Sequence, residues 1–151
     1  MIPNLCIAAG LVAAVLASCA RTPTPSSATG QPVSRFRTGQ VWTFKTPATQ
    51  PNARLTILRV EDGGKLGTII RIALSGISYG NGQTHIDHLP FAESAIEASV
   101  TKLERESGPL PEFAEGYQEW RRAYDAGHAG VFTISVAEAF TLATDSARKA
   151  K

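Results

Sequence analysis

Leu55-Thr56-Ile57-Leu58-Arg59-Val60 and, after Glu61-Asp62-Gly63-Gly64-Lys65, Gly67-Thr68-Ile69-Ile70-Arg71-Ile72-Ala73-Leu74 are the stretches on which the fold turns. Both runs are rich in β-branched residues, whose side chains pack well on a pleated surface. The glycine pair between them signals a turn. The second run extends from Leu66 to Tyr79 and reads as one long strand. Upstream, Val41-Trp42-Thr43-Phe44 has the same β-branched and aromatic character. Downstream, Asn81-Gly82 marks another turn, and His85-Ile86-Asp87-His88 reads as a short fourth strand. Strands joined in sequence by turns predict an antiparallel meander.

Helical spacing dominates the second half. Phe91, Ala95, Ile96, Ser99, Val100 and Leu103 fall on one stripe, and Gly108-Pro109 stops it. A second helix is expected from Pro111, a favoured first-turn residue. It carries Phe113, Tyr117, Trp120 and Tyr124 along one side, with Glu112 and Glu115 at its start and Arg121 and Arg122 near its end, complementing the macrodipole. Val131-Phe132-Thr133-Ile134 predicts a further strand. Ser135-Val136-Ala137-Glu138 has capping-box spacing for a last helix that buries Val136, Ala139, Phe140 and Ala143. The expected class is α+β: an antiparallel sheet of four to five strands with about three helices packed on one face.

Composition narrows the function. A chain of 151 residues allows one ordinary domain, and 43% hydrophobic residues are too many for a disordered one. With 15 basic and 13 acidic side chains the net charge is +2, too balanced for a dedicated nucleic-acid binder. Two cysteines make neither a disulfide scaffold nor a four-thiolate zinc site.

The N-terminus supplies an address. Residues Ile2 to Ser18 hold no charge, and the apolar run ends in Leu16-Ala17-Ser18-Cys19-Ala20. The run is short for a membrane span and suited to a secretory signal. Its end resembles the lipobox of bacterial lipoproteins, in which small residues precede a cysteine that is lipidated at the cut. Such signals usually open with Lys or Arg, whereas here only the amino terminus carries charge. An uncleaved anchor helix or a buried N-terminal helix is the alternative. The resemblance implies a signal peptide over residues 1–18, lipid on Cys19 and, with Ala20 rather than Asp following, an outer-membrane location in a Gram-negative host. Pro, Thr and Ser dominate residues 19–34, which read as a tether to a single domain over residues 35–151. Cleavage removes Cys6 and lipidation consumes Cys19, leaving no thiol for redox or nucleophilic chemistry. From Gly39-Gln40-Val41-Trp42 through Val131 to Ala139 the chain also resembles small uncharacterised bacterial envelope proteins. That likeness brings no functional residue with it.

Candidate chemistry is sparse. On a regular strand, His85 and Asp87 share a face and His88 points away, so only two metal ligands converge locally; His128 would have to join from a distant turn. Ser75 and Ser78 lie near a strand end, yet no Gly-x-Ser-x-Gly elbow is present. Glu112, Glu115 and Glu119 share a helical face, where a solvated surface is the ordinary explanation. Gly63-Gly64 and Gly80-Asn81-Gly82 are too short to cradle phosphate and lack a following Lys-Ser or Lys-Thr. The aromatic stripe is expected mainly as core, with Tyr117, Trp120, Arg121 and Tyr124 as candidate partner-binding residues.

Charge is uneven along the chain. Residues 21–84 carry eight basic and two acidic side chains, net +6, while residues 85–151 carry seven and eleven, net −4. The sheet half, with Arg35, Arg37, Lys45, Arg54, Arg59 and Arg71, is thus expected either to face an anionic surface or only to assist membrane association near the tether. These features point to a lipid-anchored envelope protein that binds another macromolecule, as an accessory, inhibitor or immunity-type module. Its partners are the membrane, through lipid, and an envelope protein, with no cofactor and no nucleic acid. The alternative is a small periplasmic hydrolase using His85 and Asp87 with a serine or a metal-bound water.

Overall fold

The computed structural model describes residues 33–80 and 82–149. The expected signal segment, Cys19 and the tether as far as residue 32 lie outside them. Five strands form one antiparallel sheet: β1 (Val41–Phe44), β2 (Arg54–Asp62), β3 (Thr68–Tyr79), β4 (Gln83–Ala92) and β5 (Val100–Arg105), in spatial order β4-β3-β2-β1-β5. Three helices, α1 (Glu93–Ser99), α2 (Ala114–Asp125) and α3 (Val136–Lys149), complete the α+β fold.

Alternation along the strands separates two faces. Ile70, Ile72 and Leu74 of β3 lie level with Phe91, Leu89 and Ile86 of β4, and with Val60, Ile57 and Leu55 of β2. This face is the core, closed by Ala95 and Ile96 of α1 and by Val136, Ala139 and Phe140 of α3. Fully burying one such aliphatic side chain is worth about 1.5–3 kcal/mol. The two helices are joined by Ser99, whose hydroxyl donates to the Ala95 carbonyl at 2.7 Å and accepts from the Val136 amide at 3.0 Å.

The opposite face carries Arg71, Ala73 and Ser75, and here α2 packs. The helices therefore divide between the faces, because α2 is built around a buried cation that the apolar core would not accept. Two further expectations change. The stripe from Phe91 to Leu103 is not one helix: α1 ends at Ser99, and Val100–Arg105 pairs with β1 instead. Without that pairing, β1 would leave its outer backbone groups unsatisfied. Val131–Ile134 supplies a single parallel bridge, Phe132 to Phe91, rather than a strand. The Phe132 amide donates to the Pro90 carbonyl and its own carbonyl accepts from the Ala92 amide, both at 2.9 Å.

The capping box is present as expected. The Glu138 carboxylate accepts from the Ser135 amide at 3.0 Å and from its hydroxyl at 2.6 Å, and the Glu138 amide donates to that hydroxyl at 3.3 Å. Gly76 sits at a shift in the β3–β4 register with φ +66°, where a Cβ would collide with the Asn52 carbonyl oxygen.

Candidate functional site

Arg71 organises the second face. Its neighbours Ile70 and Ile72 point into the core, so alternation sends its side chain to the other side, where it is 0% exposed. Burying a guanidinium requires an opposite charge and partners for its donors. Glu61 provides the charge: its Oε1 accepts from Arg71 Nε at 3.0 Å and closely from Nη2. The same carboxylate meets Arg59 Nε at 3.2 Å and the Tyr117 hydroxyl at 3.4 Å. Arg59 and Arg71 are direct cross-strand partners, and one carboxylate between them offsets the repulsion of two cations. The flat guanidinium is then covered by α2, with the Trp120 ring at 3.7 Å and the Tyr117 ring at 4.9 Å. Arginine suits such a seat because its planar group stacks while its edges donate.

His88 forms the remaining wall. Its Nε2 lies 3.5 Å from Arg71 Nη1, and its ring meets Tyr117 and Trp120 edge-on at 6.0 and 6.5 Å. Burial, and then the Arg71 charge, push its pKa down to about 4, against a smaller upward pull from Glu61. The imidazole is therefore neutral at neutral pH. Gly116 lets α2 approach, since a Cβ there would stand 3.1 Å from that of His88.

His88 reaches this face because β4 is irregular. Ile72 and Leu74 of β3 pair with Leu89 and Ile86, so three steps on β4 match two on β3. The extra residue is a bulge, which shifts the alternation. His85, opposite Ser75, and His88, beside Arg71, thus share the α2 face, contrary to the regular-strand expectation.

Outside this cluster, an open cleft of about 750 Å³ runs between β4 and the start of α2. Its carboxylates are Asp87, Glu112, Glu115 and Glu119, and none of its lining residues is Lys or Arg. Tyr79, Ile86 and Phe113 supply apolar surface. Glu112 Oε1 also holds the start of α2, accepting from the Phe113 and Ala114 amides at 3.1 and 3.0 Å. The Tyr79 hydroxyl donates to the His85 carbonyl at 3.1 Å, and burial together with the Asp87 charge raises its pKa. A second, more apolar cleft of about 370 Å³ adjoins at His85, Ile86 and Asp87, walled by Pro109, Leu110 and Pro111.

The candidate partner-binding residues separate accordingly. Tyr117 and Trp120 turn inward onto Arg71, and Trp120 Nε1 donates to the Gly130 carbonyl at 2.8 Å. Tyr124 stacks on Trp120 with ring centres 4.7 Å apart. Arg121 points to solvent and pairs with Asp125 at 3.1 Å. His85 and Asp87 do come together, at 3.5 Å, but are 64% and 57% exposed. Ser78 lines a different hollow with Gln50 and Phe140. Among the described residues, no group of three His, Cys, Asp or Glu could hold a metal ion.

The cations of the sheet half are largely spoken for. Arg54 pairs with Glu104, Arg35 with Glu97, and Arg59 and Arg71 share Glu61, so three carboxylates offset most of the charge of these four. Sequence reasoning ranked Arg71 with these surface cations and missed Glu61. The available signal was a lone cation inside Ile69-Ile70-Arg71-Ile72, with an aromatic helix still to be placed. No family model, curated protein or solved structure matches this chain.

Proposed function

We propose that this chain is a non-enzymatic binding module of the cell envelope, held by lipid on Cys19 and using the acidic cleft between β4 and α2 to recognise another macromolecule. The observation that carries the reading is a cleft of about 750 Å³ lined by four carboxylates and no Lys or Arg, beside a buried, fully partnered arginine. Uncompensated like charge disfavours the empty state and favours a cationic partner, and the stacked cluster beneath keeps the wall in place. The lipobox resemblance supports the address, with outer-membrane retention in a Gram-negative host.

Detergent-solubilised envelope passed over the immobilised full chain is expected to yield a reproducible partner whose capture falls at least tenfold with Glu119→Lys. Capture of nothing beyond the bait, or capture indifferent to the substitution, refutes the recognition role. The address has its own test. Cys19→Ala is expected to abolish acylation by mass spectrometry and to release the protein from the membrane fraction; unchanged fractionation with residues 1–18 retained argues for an anchor helix.

One observation favours a second reading, a small hydrolase. Ser75 lies directly opposite His85, and both line the smaller cleft with Asp87. No hydrogen bond joins Ser75 to His85, and the exposed carboxylate does little to fix the imidazole against water. Labelling by a fluorophosphonate, lost in Ser75→Ala, would raise this reading above the first.

A further inference from the structure

The sheet ends at β4, and its outer side is only half covered. The bridge from Phe132 occupies the Pro90–Ala92 end. From Gln83 to Leu89, among the described residues, the backbone makes one hydrogen bond outside the β3 ladder, at the His85 carbonyl, which accepts from the Tyr79 hydroxyl. An unpaired edge of this kind is a template for another extended chain. The molecule already uses the other half so, with its own Phe132 lying parallel along β4.

The open half borders the acidic cleft, which limits what can lie there. A second copy pairing edge to edge would bring the same carboxylates together. A nucleic acid or an anionic lipid surface would meet like charge. A backbone with Lys or Arg side chains turned to the α2 face meets those carboxylates, and alternate β-branched side chains favour the extended form.

We propose that β4, from Gln83 to His88, takes an extended basic polypeptide segment as an added strand, with its cationic side chains set against Asp87, Glu112, Glu115 and Glu119. About six residues at roughly 3.3 Å each span this edge. The bulge between Ile86 and Leu89 bends the far end of this stretch, so the added strand pairs in straight register from Gln83 to Ile86 and leaves the edge over Asp87 and His88. The inference rests on reading the cleft as the recognition site and adds the chemistry and conformation of what it recognises.

The test uses the full chain and a fluorescein-labelled peptide of alternating Lys and Val, eight residues long. Three control probes are the same peptide with Glu for Lys, the Lys peptide N-methylated at alternate residues, and spermine. Anisotropy is expected to show saturable binding of the Lys peptide alone, weakened at least tenfold in the Glu115→Gln/Glu119→Lys variant. Glu112 is left intact because it holds the start of α2. Amide exchange at residues 84–88 is expected to slow on binding. The thermal midpoint of the variant is measured alongside, and His85→Pro, which blocks strand addition without removing an acid, is expected to lose binding as well.

Binding of the N-methylated peptide or spermine as tightly as the Lys peptide, with unchanged exchange in β4, overturns strand addition. Self-association that buries the edge overturns it too. If envelope capture depends on Glu119 but the Lys peptide does not bind, this inference fails and the recognition role stands. If neither responds to the cleft, both fail.

Discussion

Arg71 shows how much one side chain decides. A cation in a run of β-branched residues is tolerated because Glu61, His88, Tyr117 and Trp120 together give it a charge, an acceptor and two ring faces. Removing one member of such a set costs more than removing the set, since the survivor is left buried and uncompensated. Glu61→Ala is expected to lower unfolding free energy by about 3 kcal/mol in urea titration, and Arg71→Met introduced with it to restore much of that loss. Additive losses would show the two residues to be independent. His88 gives a second handle. Its ring binds a proton less readily in the folded chain, with a pKa of about 4 against 6.5. The unfolded chain therefore takes up the extra proton first as the pH falls. Stability attributable to His88 is whole above pH about 6.5, declines towards pH 4 and levels off below it. Thermal midpoints followed across that range are expected to fall in the native chain and to fall less in His88→Phe.

At the level of elements, the strands were legible where β-branched residues run unbroken, and the helices where caps and periodicity agree. β2, β3 and α3 meet those conditions, whereas α2 is legible from its periodicity alone and begins at Ala114 rather than Pro111. The misread segments share one cause: the deciding interaction is distant. Val100–Arg105 continues a helical stripe on paper, but the edge of β1 recruits it as a strand. Phe132 makes one bridge because only the end of β4 is within its reach. The candidate site was hidden in the same way. A bulge leaves no mark in a regular alternation, so His88 was assigned to the wrong face, and the role of Arg71 depends on a helix more than forty residues away. The meeting of α2 with β4 depends on Gly116. Gly116→Leu is expected to push α2 outward, red-shifting the fluorescence of Trp120 and weakening Lys-peptide binding while the core face keeps its far-ultraviolet signature. An unchanged emission maximum would show that the helix is not seated by this contact.

Across the whole molecule, the uneven charge of the two halves is largely reconciled by folding, which brings Arg54 to Glu104 and Arg35 to Glu97. The acid around the cleft stays gathered in one place without Lys or Arg, and the net charge of +2 conceals it. Exposed pairs of this kind contribute little stability, so the apolar core carries the fold. The position of β1 has a different consequence. Its partner strand β5 lies far along the chain, with Thr43 and Thr101 separated by 58 residues yet joined hydroxyl to hydroxyl. During synthesis or export from one end, β1 through β4 emerge first, and the β1 edge of the sheet stays open until Val100–Arg105 follows. A nascent chain halted before that point would present a naked seam to its neighbours, making this late arrival a natural moment for a chaperone to hold it.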